Sequence, residues 1–128
     1  MSHLLRAALL AKDGRLEASE SFKSATFAEL NEVCNGCGAA NAKFDFVPDK
    51  IWGTYIGYAC HIHDWDYDKG TTEEDKIKAD KKFLRNMKKI ISWGSWYKPK
   101  PLQKLRAYFY YQAVRLKGHD AYWAGKTE

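Results

Sequence analysis

The chain has 128 residues, 45% of them apolar and 15% aromatic, which is too apolar for a disordered chain and enough to bury one core without staples. Its net charge of +5 is unevenly spread: residues 1–75 carry 7 basic and 13 acidic side chains, whereas 76–106 carry 11 basic ones and Asp80 alone. That block of positive charge points to an anionic partner such as phosphate-bearing lipid or nucleic acid, with a merely solubilising face as the alternative.

Leu4 to Leu10 reads as a short helix and Asp13-Gly14 as a turn. The apolar stretch is brief, contains Arg6 and lacks a small-residue cleavage pattern, so it is not read as a signal peptide; a cytoplasmic or virion-associated location is expected rather than classical secretion. No run of about 18 apolar residues occurs, so no transmembrane segment is expected. Residues 15–26 are polar and weakly patterned. Thr26 to Val33 reads as another short helix leading into Cys34-Asn35-Gly36-Cys37-Gly38-Ala39-Ala40-Asn41, where glycines flanked by Asn mark a tight loop that exposes backbone groups. Three cysteines are too few for a disulfide scaffold, and their odd number permits at most one bridge.

Residues 44–50 read as extended or looped, and a helix is expected over about 55–68. Within it, Ala59-Cys60-His61-Ile62-His63-Asp64-Trp65-Asp66-Tyr67 separates by face. Ala59, His63 and Tyr67 share one stripe at i, i+4 and i+8, and Cys60 and Asp64 share the stripe beside it. Lys69-Gly70 ends the helix, with Gly70 expected in the left-handed conformation. Thr72-Glu73-Glu74-Asp75 is an N-terminal signature, and the helix it opens is expected over 73–92. Its core stripe reads Ile77, Asp80, Leu84, Met87 and Ile91, widened by Phe83 and Ile90, with lysines and Arg85 on the other faces.

Asp80 is the one charge on that stripe. A carboxylate facing a core is costly unless paired, and the short connection makes the two helices antiparallel neighbours. His63 is therefore the expected partner of Asp80, and a twist of Asp80 out to solvent is the alternative. Trp93 to Pro101 reads as a loop whose aromatics and lysines suit a membrane interface or a hydrophobic lid, unless they pack beneath it. Leu102, Leu105, Phe109, Ala113 and Leu116 then predict a third amphipathic helix, stopped at Gly118. Ala121 to Gly125 is expected to fold back as a clasp. The fold class is thus mainly α: two antiparallel core helices carry the His/Asp pair, with a Gly-rich loop and short helices before them and one longer helix after.

Cys60-x-x-His63-Asp64-x-x-Tyr67 resembles the Cys-x-x-His-Asp-x-x-Tyr signature of the secreted phospholipase A2 superfamily. Cys37-Gly38 resembles that family's calcium loop, and Asp80-Lys81-Lys82-Phe83 its Asp-x-x-Phe, closest to the small bacterial and phage-encoded members. The resemblance covers a motif core of about 34–92 within a single domain, 1–128. It implies calcium-dependent hydrolysis of a phospholipid acyl ester: His63 as the base on water, Asp80 orienting it, and Tyr67 hydrogen-bonded to Asp80. It further implies Ca²⁺ held by Asp64 with the carbonyls of Gly36, Gly38 and Ala40, the Gly38 N–H at the oxyanion, and a Cys37–Cys60 bridge. The chain departs from the family at Ala39-Ala40-Asn41, where Gly is usual. The expected partner is then an anionic phospholipid surface rather than nucleic acid. Two other readings stand beside it: a zinc site built from Cys34, Cys37, Cys60 and His61 or His63, and a non-enzymatic phage structural or binding protein on the same scaffold.

Overall fold

The structure is a computed structural model that describes residues 2–34 and 47–126. It is mainly helical. In chain order the described elements are α1 His3–Lys12, α2 Glu20–Ser24, α3 Phe27–Val33, β1 Lys50–Ile51, β2 Thr54–Tyr55, α4 Gly57–Lys69, α5 Glu73–Ser92, α6 Lys100–Lys117 and α7 His119–Trp123.

Local chemistry sets several of the helix starts. The side chains of Ser2, Ser19, Thr26 and Thr72 each accept a backbone N–H from the residue three positions on, and Glu29 answers Thr26 to complete a capping box. Such caps are worth about 1 kcal/mol each. α2 lies in the weakly patterned stretch, since five residues are too few to show a period. It buries Phe22, which meets Trp65 edge-on with ring centroids 6.0 Å apart.

The segment before α4 is a small antiparallel hairpin rather than part of the helix, pairing Lys50 with Tyr55 and Ile51 with Thr54. Its two-residue turn places Trp52 at φ 43° and Gly53 at φ 82°, the left-handed pair that matches the twist of two strands. Gln103, fully buried, fastens the hairpin to α6 by donating its Nε2 to Ile51 O at 3.0 Å and to Thr54 Oγ1 at 2.8 Å.

α4 is the central element. Eight residues of its sequence Ala59–Tyr67 are buried, covering every face, with Asp66 half-buried. A helix enclosed all round shows no amphipathic stripe, which is why the pattern there speaks through its chemistry instead. A three-residue connection turns the chain back into α5, and the two helices pack along their length. Gly70 is extended, at φ −67° and ψ 151°, and not left-handed as expected. What requires glycine there is space: a Cβ would stand 2.5 Å from the Tyr122 hydroxyl and 3.1 Å from Asp66 O.

The buried face of α5 consists of Lys76, Ala79, Asp80, Phe83, Asn86, Met87, Ile90 and Ile91. It is turned by about one position from the expected stripe: Ile77 is 45% exposed and Leu84 only half-buried. Two polar residues explain the turn. Asn86 both accepts from Glu17 N–H and donates to Glu17 O, each at 2.9 Å, and so fixes the stretch after α1 against α5; Lys76 binds Asp80.

α6 departs furthest from expectation. It buries Gln103, Ala107 and Val114, whereas Leu102, Leu105, Phe109 and Leu116 face outward and Ala113 is half-buried. The expected core stripe is the outer one. The tail does fold back: Tyr122 is buried and donates to Thr72 O at 2.5 Å, and Trp123 Nε1 donates to Glu73 at 3.1 Å.

Candidate active site

His63 projects from the middle of α4 and Asp80 from the second turn of α5. The 2.8 Å separation between His63 Nε2 and Asp80 Oδ1 is a hydrogen bond between two side chains each about 1% exposed. Tyr67, one turn along α4, donates its hydroxyl to the same Oδ1 at 2.6 Å. The i, i+4 spacing on α4 is what lets both groups reach one carboxylate. Phe83 and Tyr67 hold the imidazole, with ring centroids 4.7 and 4.2 Å from it.

The other carboxylate oxygen is taken by a residue absent from the sequence reading. The sequence pattern places Lys76 on an outer face, but its ammonium is buried and lies 2.9 Å from Asp80 Oδ2. It donates also to Arg115 O at 3.2 Å, which brings α6 into the network. Lys76 and Asp80 stand at i and i+4, so the spacing was legible; the burial of a lysine was not. Burial pushes the Asp80 carboxyl up, but the hydrogen bond from His63, with those from Tyr67 and Lys76, outweighs it and holds it below the ordinary value. Burial, and then the Asp80 charge, push the Tyr67 phenol far up, so it stays a donor.

With the Asp80 carboxylate accepting, the hydrogen-bond network assigns the ring proton to Nε2 and the lone pair to Nδ1. His63 thereby has the orientation a general base needs. Asp64, on the adjoining stripe, is 1% exposed. A buried carboxylate is a hard oxygen donor of the kind Ca²⁺ takes, and Asp64 is the one member of the expected calcium set among the described residues. Gly36, Gly38, Ala40 and Cys37 lie outside the described residues. Cys60 is disulfide-bonded, which leaves no thiolate there for zinc, and Cys34 is buried at the end of α3. Among the described residues no group of three or more His, Cys, Asp or Glu side chains is placed to hold a metal.

Two further ionisable groups on α4 carry consequences for folding. Asp66 is lifted above the ordinary carboxylate range by burial, against the pull of Lys82, whose Nζ is 3.2 Å away. His61 is 8% exposed, and burial, reinforced by the charge of His3, lowers it to about 4 from 6.5. A histidine held neutral in the fold but free to protonate when unfolded stabilises fully above the unfolded value. That contribution falls away as pH drops from 6.5 towards 4, a loss of about 3 kcal/mol for a shift of this size. Urea midpoints measured across this window should fall steeply for the native chain, whereas His61→Phe should flatten the slope; an unchanged slope would mean that other groups cause it.

Comparison with known protein families, curated proteins and solved structures finds no significant match to this chain. The class the geometry defines is a mainly helical protein with a buried His–Asp–Tyr–Lys network at the centre of an antiparallel helix pair.

Proposed function

We propose that the chain is a calcium-dependent hydrolase of phospholipid acyl esters. The observation that carries this reading is the single carboxylate oxygen of Asp80 shared between His63 Nε2 and the Tyr67 hydroxyl. It orients one imidazole and fixes its tautomer, which a merely solvated histidine would not require. In the proposed reaction His63 Nδ1 removes a proton from water as the water oxygen attacks the ester carbonyl. The protonated ring then returns that proton to the leaving lysophospholipid alkoxide, and a fatty acid is released. Asp80 stays ionised throughout and compensates the positive ring that forms between the two transfers. Tyr67 and Lys76 hold Asp80 in place.

Calcium would be held by Asp64 together with the carbonyls of Gly36, Gly38 and Ala40. Bound there, it would offset the negative charge that develops on the ester oxygen, a position the Gly38 N–H would share. The substrate lies in an anionic membrane surface, to which the basic stretch 76–106 is drawn.

A second reading is favoured by Lys76. A buried lysine that neutralises the carboxylate beside the histidine suits a structural network tying α4, α5 and α6 together, and with it a non-enzymatic binding or virion protein. Fatty-acid release from anionic phospholipid vesicles separates the two. At millimolar-scale calcium, the weak end of protein sites, the purified chain should release fatty acid well above a chelator-treated control. Equal release in both would leave the structural reading standing.

A further inference from the structure

We infer that α6 docks flat on an anionic lipid surface through its outward apolar stripe. The inference rests on lipid being the partner but not on hydrolysis. Leu102, Leu105, Phe109 and Leu116 are all more than half exposed and follow one another at helical spacing, so they form a single ridge about 21 Å long. The ridge is directly opposite the side on which Gln103, Ala107 and Val114 are buried. At its N-terminal end the preceding turn carries Trp96, 90% exposed, and Tyr97, 70% exposed, the residue types that settle at the headgroup level of a bilayer.

The charges specify the occupant. No acidic residue occurs from Lys81 to His119, and the ridge is bordered by Arg106 and Lys117 on one side and by Lys104 and Arg115 on the other. The ion pairs of Lys82, Arg85 and Lys89 with Asp66 and Glu17 consume charge on α5. Among the described residues no salt bridge involves Lys104 or Arg106, whose positive charge is therefore left for a partner. A second copy of the chain would bring two such cationic borders together, which disfavours self-association. Nucleic acid would match the charge but leave the leucines and Phe109 in water. An apolar ridge between cationic flanks is the form of helix that lies in the plane of an anionic interface. Beside the ridge, a cavity of about 180 Å³ lined by Lys50, Ile51, Trp52, Arg106 and Tyr110, with the Arg106 guanidinium 5.6 Å from the Trp52 ring centre, suits a headgroup phosphate.

The test is sedimentation with vesicles of ether-linked phospholipid, in chelator, so that no turnover enters the result. Vesicles containing phosphatidylglycerol should bring the protein down, and purely zwitterionic vesicles much less. The double variant Leu105→Ser/Phe109→Ser should bind the anionic vesicles at least tenfold more weakly with its thermal midpoint retained, because both side chains already face solvent. Raising the salt should weaken the native chain's binding only in part, since the apolar contribution does not screen. Three results would overturn the inference: equal binding by the variant, complete loss of native binding at high salt, or a native dimer in solution that the variant dissociates.

Discussion

His63→Gln is expected to lower calcium-dependent fatty-acid release by about 10²–10⁴-fold, the usual contribution of a positioned base, with little change in stability. The glutamine amide can donate to Asp80 Oδ1 much as His63 Nε2 does at 2.8 Å, so the buried carboxylate keeps its partner and the folded state should lose no more than about 1 kcal/mol. What the amide cannot do is accept a proton from water. A vesicle assay alongside a thermal melt checks both halves. Release that survives the substitution would remove His63 from the chemistry, and a collapsed melt would show that the imidazole serves the fold.

Lys76→Met is expected to be the most destabilising single substitution in the network, by about 3–5 kcal/mol, because removing one partner of a buried pair leaves the other charge uncompensated. Lys76 and Asp80 are 3% and 1% exposed, so water cannot replace the ammonium. His63 and Tyr67 still hold Oδ1, which favours the lower end of that range, while the loss of the contact to Arg115 O loosens α6 as well. The pH dependence gives a second measure. A carboxyl held below its ordinary value in the fold stabilises above its unfolded value of 3.8, and the stability is lost as pH falls through the folded value. Lys76 is one of the groups that hold Asp80 down, so acid unfolding of the variant should begin at higher pH than in the native chain. Chemical denaturation at neutral pH and an acid titration would each reveal the effect; a variant within about 1 kcal/mol of native would mean that the bonds from His63 and Tyr67 suffice to compensate the Asp80 carboxylate.

The network and the outward ridge of α6 are separable, because one is built from buried charge and the other from exposed apolar surface. Substitutions at Leu105 and Phe109 should weaken vesicle binding, and lower turnover only through it, whereas those at His63 should lower turnover with vesicle binding retained. A protein that docks but does not hydrolyse would still show the first effect.

What the sequence determined by itself is what depends on neighbours along the chain. Thr26 and Thr72 announce their helices because a cap is a hydrogen bond within three residues, and α5 runs over 73–92 as its caps and period predict. The meeting of His63 and Asp80 was legible for the same reason. Each lies on one face of its own helix, and a three-residue connection leaves the two helices little choice but to pack side by side. Tertiary structure decided the rest, wherever two local solutions were equally good. Ile77 or Lys76 could have faced inward on α5; the Asp80 carboxylate, already buried, made the lysine the better occupant. On α6 the row of leucines is the stronger apolar signal, yet Gln103 goes inside because the hairpin at 50–55 presents Ile51 O and Thr54 Oγ1 that need donors. A buried polar group without a partner costs about as much as a leucine gains by moving inward, so the stronger apolar row need not win, and which polar groups are buried is known only once the other elements have packed.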